Sequence, residues 1–178
     1  MALTKLNYTG QGILPSAKMP VGSVIQTVST NKTDTFTTAS SSFVIVTGLT
    51  ATITPSSASS KILIYAMVQG GAADSVNAGG AFRLYRDGSW ITGVAGDSAG
   101  SRIQAFAQSA SGVSSPWKLD TKTLVYLHSP STSSSTTYQI YARSESATGI
   151  TVNYAYSDTD NSDRVRLLST ITLMEIAG

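Results

Sequence analysis

Three carboxylates and an amide crowd into Asp158-Thr-Asp160-Asn-Ser-Asp163. Oxygen ligands at such short spacing are what a loop holding a hard cation requires. The EF-hand pattern also demands a glycine and a distal glutamate at set places, and neither falls there. Asp and Asn side chains equally bond their own backbone in tight turns. That second reading is preferred, so no metal is assigned. The other suggestive set is aromatic. Trp90 closely follows Asp87-Gly88, and Tyr85, Tyr138, Tyr141, Tyr154 and Tyr156 lie in strand-like stretches. Rings flanked by Asn, Asp and hydroxyls can stack on sugars, although most aromatics of a β protein pack into its core or an interface. The expected receptor or partner contacts are Trp90 and Asp87 at their turn, and Asn77 in the glycine-rich 70–80 loop.

Nucleophilic and acid–base chemistry has little to work with. The chain has one histidine, His128, and no cysteine. A Ser-His-Asp triad, a His-rich metal site and a His general base would all have to use His128. That residue ends an apolar strand beside Ser129-Pro130 and reads as a hydrogen-bonded structural histidine. The Gly-Gly pairs at 70–71 and 79–80 have no Lys-Ser/Thr sequel and no following helix, so they are not phosphate loops. A glycosidase would need two facing carboxylates about 5–9.5 Å apart, and the ten acids fall mostly in turns or near strand ends. Neither an enzyme nor a cofactor is expected.

The elements that must position these residues read as strands. Segments 23–29, 35–38, 42–47 and 50–54 are rich in β-branched residues. Lys61 to Val68 is a near-continuous apolar run, as in a strand buried on both faces. Segments 81–86, 102–108, 138–143 and 150–156 alternate, 121–128 is a further strand, and 164–176 is a long last one. Asp87-Gly88 signals a hairpin. No stretch of a dozen residues shows a 3.6-residue period. About ten strands between turn clusters predict an all-β antiparallel sandwich of jelly-roll type over 22–178. Residues 1–21 show no sustained period and carry Lys5 and Lys18 but no acid. They predict an extended arm, and Leu3, Leu6, Tyr8, Ile13 and Leu14 are its expected attachment residues.

Composition narrows the setting. The 178 residues are 41% hydrophobic and only 12% charged, with a net charge of +2. Serine (28) and threonine (23) fill the gap and make the surface neutral and hydroxyl-rich. So few cations cannot build a broad phosphate-neutralising patch, so nucleic acid is not an expected partner. No apolar run is long enough to span a bilayer as a helix. The N-terminus lacks the apolar core of a secretory signal.

Four segments resemble small structural proteins of tailed bacteriophages, of the marine or cyanobacterial type. They are Leu3-Thr-Lys-Leu-Asn-Tyr-Thr-Gly-Gln-Gly-Ile-Leu-Pro15, Met19-Pro-Val-Gly-Ser-Val-Ile-Gln26, Thr52-Ile-Thr-Pro-Ser-Ser-Ala-Ser-Ser-Lys-Ile-Leu-Ile64 and Leu168-Ser-Thr-Ile-Thr-Leu-Met-Glu-Ile176. The resemblance spans nearly the whole chain and carries no catalytic motif. It implies a virion component, commonly trimeric: a tail fibre that attaches to the host, or a capsid decoration protein. The arm would bind other virion proteins of the baseplate, tail or capsid, and the sandwich would meet a host-surface glycan. A carbohydrate-binding module outside any virus is the alternative. Low charge density and apolar strands at 61–68 and 164–176 add to the expectation of a homotrimer. Receptor contacts are then expected on loops at the end distal to the arm: 70–80, Asp87 to Trp90, and Asp158 to Asp163.

Overall fold

Alternation of apolar and hydroxyl side chains produces strands because successive residues of an extended chain face opposite sides. The computed structural model describes residues 19–72, 79–109 and 119–178. Its strands are β1 (Val24–Lys32), β2 (Phe36–Thr38), β3 (Val44–Ile53), β4 (Lys61–Ala72), β5 (Gly80–Arg86) and β6 (Ser89–Trp90). They continue with β7 (Ala107–Ser109), β8 (Asp120–His128), β9 (Thr136–Ser144), β10 (Ile150–Val152) and β11 (Ser169–Ile176). A single 3-10 turn spans Thr92–Val94, and there is no α-helix among the described residues. The arm residues Leu3, Leu6, Tyr8, Ile13 and Leu14 lie outside the described residues, as does Asn77.

The chain pairs like a long hairpin rolled into two layers. β1 pairs with β11, β3 with β9, β4 with β8, and β5 with β6 and β7. Rolling then sets β11 against β4 and β9 against β5. Every pairing is antiparallel. The larger sheet runs β1-β11-β4-β8, with β10 continuing along the β11 edge of β4 and β2 outside it. The smaller sheet runs β3-β9-β5, with β6 and β7 sharing the remaining edge of β5. First strand beside last, and hairpin pairs nested inside, is the jelly-roll arrangement.

The core lies between the layers. Ile62, Ile64, Ala66 and Val68 of β4 and Ile171 and Leu173 of β11 face Leu49, Ile53, Phe82, Leu84, Tyr138 and Ile140 of the smaller sheet. Burial of each Ile or Leu contributes roughly 1.5–3 kcal/mol. β4 departs from expectation here. Its apolar run is covered on one face only; Leu63 and Met67 are half-buried and Tyr65 is exposed. A second layer packs on one side of this sheet, and nothing among the described residues lies on the other.

Three boundaries also differ from the sequence pattern. Segments 42–47 and 50–54 are one strand, β3, with a register shift between Ile45 and Thr50; Gly48 takes a φ of 80° inside it. Of 102–108 only the end pairs, as β7. The alternation at 150–156 breaks after Val152, because Asn153 adopts a left-handed φ of 68°. Its buried amide donates to the carbonyls of Lys32 (2.8 Å) and Asp34 (2.9 Å), and its oxygen accepts from Ser169 Oγ (2.6 Å). Ser169 Oγ in turn accepts from the Gln69 amide (2.9 Å). This clasp ties the ends of β1, β4, β10 and β11 together, and it delays the last strand to Ser169. Buried polar groups of this kind are retained only when satisfied.

Candidate functional site

The outer face of the smaller sheet carries a pavement of rings and guanidinium groups. Register dictates it: Tyr141 of β9 lies opposite Ile45 of β3 and Arg83 of β5, and Tyr85 lies opposite Gln139 of β9 and Trp90 of β6. Tyr85 and Tyr141 stack with centroids 3.8 Å apart and planes 19° apart. The Arg83 guanidinium sits between two rings, 3.7 Å from the centroid of Trp90 and 4.0 Å from that of Phe43. Its Nε donates to the Gln104 carbonyl at 2.7 Å, which leaves the flat of the group to the rings. Arg143 lies farther off, with its guanidinium carbon 6.0 Å from the centroid of Phe43. The six residues are each half-buried. Such guanidinium–ring contacts are worth about 0.5–2 kcal/mol, more as they desolvate.

This face continues into a groove of about 400 Å³ lined by Ala81, Arg102, Ile103, Phe106, Gln108 and Glu145. A groove of that size is within the range that holds a small ligand. Gln108 Nε2 donates to Glu145 Oε1 at 3.1 Å across it. Trp90 Nε1 and Arg143 Nε are shielded donors without a hydrogen-bond partner among the described residues. Flat rings, two arginines and spare donors suit contact with sugars or with polar, acid-bearing surfaces. Trp, Tyr and Arg are also the residues that dominate interface energetics.

The expected contacts are distributed differently from expectation. Trp90 is part of this face, not a loop tip. Asp87 holds the β5–β6 turn: it has a φ of 49°, Gly88 a φ of 78°, and its Oδ1 accepts from the Thr137 amide at 2.8 Å. Two positive φ values are what the two-residue hairpin turn needs. The turn lies at the end of the sandwich where Gly22 enters. The Asp87 amide bonds Thr137, Thr137 pairs with Thr52, and the Thr54 carbonyl accepts from Gln26, two residues along β1 from Val24. Gly22, where the arm joins, bonds Ala177 beside them. The Asp87 turn and Gly22 therefore lie at one end of the sandwich. The 158–163 loop lies at the other, beyond the Asn153 clasp.

In that loop Arg166 Nη2 donates to Asp158 Oδ2 at 2.8 Å, and the pair holds the Asp158 carboxyl below its ordinary range. Asn161 Oδ1 accepts from the Asp163 amide at 3.0 Å, the Asx geometry of a turn. Among the described residues no three His, Asp or Glu side chains converge on a common point. His128 Nδ1 lies 2.8 Å from the Tyr138 hydroxyl. Burial, with Arg86 adding to it, holds the imidazole below its ordinary value. Burial likewise raises the Tyr138 phenol. Sequence reasoning found Trp90 but missed Arg83, Tyr141, Phe43 and Arg143 as its companions. The alternation at 81–86 and 138–143 did place Arg83 with Tyr85, and Tyr141 with Arg143, on common faces.

No family model matches the chain, and no curated protein matches it. Among solved structures, a chain of infectious bursal disease virus, Gt strain, aligns at 11% identity with a TM-score of 0.40, covering 85% of this chain and 38% of that one. A chain of the Gx strain aligns at 10% identity with a TM-score of 0.39, covering 86% and 36%. This chain thus spans little more than a third of either.

Proposed function

We propose that the chain is a non-enzymatic structural protein of a bacteriophage particle, and specifically a short trimeric tail fibre that touches the host. The observation that carries this is the Trp90 face. A rigid sheet presents stacked tyrosines and a ring-sandwiched arginine, Arg83, beside a groove, which suits recognition by contact. Nothing in that set pairs a nucleophile with a base. The resemblance of the four sequence segments to phage structural proteins supplies the setting, with the arm of residues 1–21 binding neighbouring virion proteins. The ligand is then a host-surface glycan laid across Tyr85, Tyr141 and Trp90.

Phage carrying Trp90→Ala or Tyr141→Ala tests the reading through adsorption to host cells. Loss of one dominant contact is worth about 2 kcal/mol, roughly a 30-fold weaker contact. Adsorption that stays at the wild-type rate in both folded variants sinks the attachment role. Particle mass spectrometry separates the placements: tens of copies fit a fibre, and hundreds place the chain as capsid decoration instead.

A further inference from the structure

Charges are unevenly matched across this protein. Lys32 pairs with Asp34 at 2.8 Å, Lys122 with Asp120 at 3.6 Å, Arg86 with Asp87 at 3.9 Å, and Arg166 Nη2 with Asp158 at 2.8 Å. Arg83, Arg102 and Arg143 pair with no carboxylate among the described residues. All three belong to the smaller sheet's outer face or to the groove beside it. Register sets one row of that face as Arg143, Ala81 and Gln108, across β9, β5 and β7. Ala81 and Gln108 line the groove, and Arg143 stands next to Ala81 at its border. Arg102 is in the same lining; it is exposed, and its Nη1 donates to the Ala99 carbonyl at 3.2 Å. Two acids share the region. Glu145 lines the groove and accepts from Gln108 Nε2 at 3.1 Å. Asp97 is exposed beside Gly96, whose carbonyl accepts from Gln104 Nε2 at 2.8 Å. Neither reaches an arginine.

We propose that the glycan bound on this face is acidic, with its carboxylate or sulfate groups taken by Arg102 and Arg143 at the groove. The inference rests on the glycan contact proposed above and adds the ligand's charge. Charge complementarity selects this occupant. A guanidinium fork matches a carboxylate or sulfate with two parallel hydrogen bonds, so an anion supplies the partners that the described residues withhold. A neutral sugar on the same rings would strip water from both arginines without returning a counter-charge, which costs free energy. Complementary charge therefore sets which sugars are accepted, while the rings of Tyr85, Tyr141 and Trp90 accept any flat sugar face. Arg83 plays a different part. Its Nε is taken by the Gln104 carbonyl and its flat faces by Trp90 and Phe43, so it adds a fixed positive charge under the ligand rather than a contact. Glu145 is the opposing charge in the groove, and it tunes the affinity downward.

Calorimetric titration of the full chain tests this with oligogalacturonate, which carries a carboxylate on every sugar, with its neutral carboxyl-reduced form, and with a sulfated oligogalactan. At low salt an acidic probe should bind about tenfold or more tightly than the reduced form, and the preference should shrink as salt approaches about 0.15 M. Oligogalacturonate alone makes uronic acids the source of the charge, and the sulfated probe alone makes it sulfate esters. Arg102→Gln and Arg143→Gln should each weaken the acidic probe about tenfold. Arg102 is exposed, so its variant keeps the fold even where Arg143→Gln does not. Glu145→Gln should tighten the acidic probe severalfold. Lys61→Gln removes a charge from an exposed site on the larger sheet and should leave the affinity unchanged. Equal affinity for acidic and reduced probes overturns the acidity and leaves the glycan contact standing. Acidic binding that survives both arginine variants, or that Lys61→Gln weakens as much, overturns the site. Binding of none of the three probes overturns both readings.

Discussion

Glu175 shows how single residues shape this fold. It faces inward on β11 and is buried, yet its carboxylate accepts from Ser56 N (2.7 Å), Ser56 Oγ (2.6 Å) and Gln26 Nε2 (2.6 Å). Burial alone would raise its pKa; the Ser56 and Gln26 hydrogen bonds outweigh that and hold it below 4.5. A carboxyl with a depressed folded pKa binds fewer protons in the native state, so its stabilisation is present above the unfolded value and fades as pH falls through the folded one. The urea midpoint should therefore drop as the pH falls below about 5. Glu175→Gln should cost about 2 kcal/mol at neutral pH and flatten that acid limb. An acid limb as steep in the variant as in the wild type would assign it to other carboxyls. Trp90 belongs to the same scale. Its removal should leave oligomer mass unchanged, because its ring packs on Arg83 of its own chain in the smaller sheet. Loss of assembly in Trp90→Ala would contradict that placement.

At the scale of elements, the two faces of each strand carry different burdens. Leu84 on β5 is fully buried against the opposite layer, while Val165 is exposed in the segment before β11. Leu84→Ala should lose about 2–5 kcal/mol in urea unfolding, because a cavity is left where the layers interlock. Val165→Ala should stay within about 0.5 kcal/mol. Equal losses would mean that the layers are not packed as described. β5 tolerates no side chain at Gly80. A Cβ there would strike the Arg143 carbonyl and Ile150 from the neighbouring β9 and the facing sheet. The glycine at the head of β5 is thus a condition of its pairing with β9, and that pairing assembles the Trp90 face.

For the molecule as a whole, the arm and the two outer faces divide the surface. The smaller sheet's outer face is aromatic and cationic; the larger sheet's mixes Leu, Val, Met and Tyr with Thr, Ser and Asn, and Lys61 stands at its Ile176 end. Removing residues 1–18 should leave a folded domain, because the described sheet begins at Val24 and every strand finds its partners without the arm. In the reading proposed here the truncated chain keeps a cooperative melt and no longer joins particles. Normal incorporation of the truncated chain would remove the arm as the anchor.

Much of the architecture was legible in the residues. Alternation at 81–86 and 138–143, the Asp87-Gly88 turn and the absence of any helical period were enough for a two-layer antiparallel sandwich, since period-2 burial is a local property of extended chain. What is not local was not legible. The 61–68 run reads as buried on both faces because hydrophobicity does not say how many layers cover a sheet; the tertiary structure leaves Leu63, Tyr65 and Met67 on an open face. The strand pattern at 150–156 conceals Asn153, whose left-handed turn is held by carbonyls from residues 32 and 34, over a hundred positions away. Trp90 stands out by type alone, but the face it joins draws on Phe43 just before β3 and on β5 and β9. Its place on a sheet face follows from cross-strand register, which only the rolled chain determines.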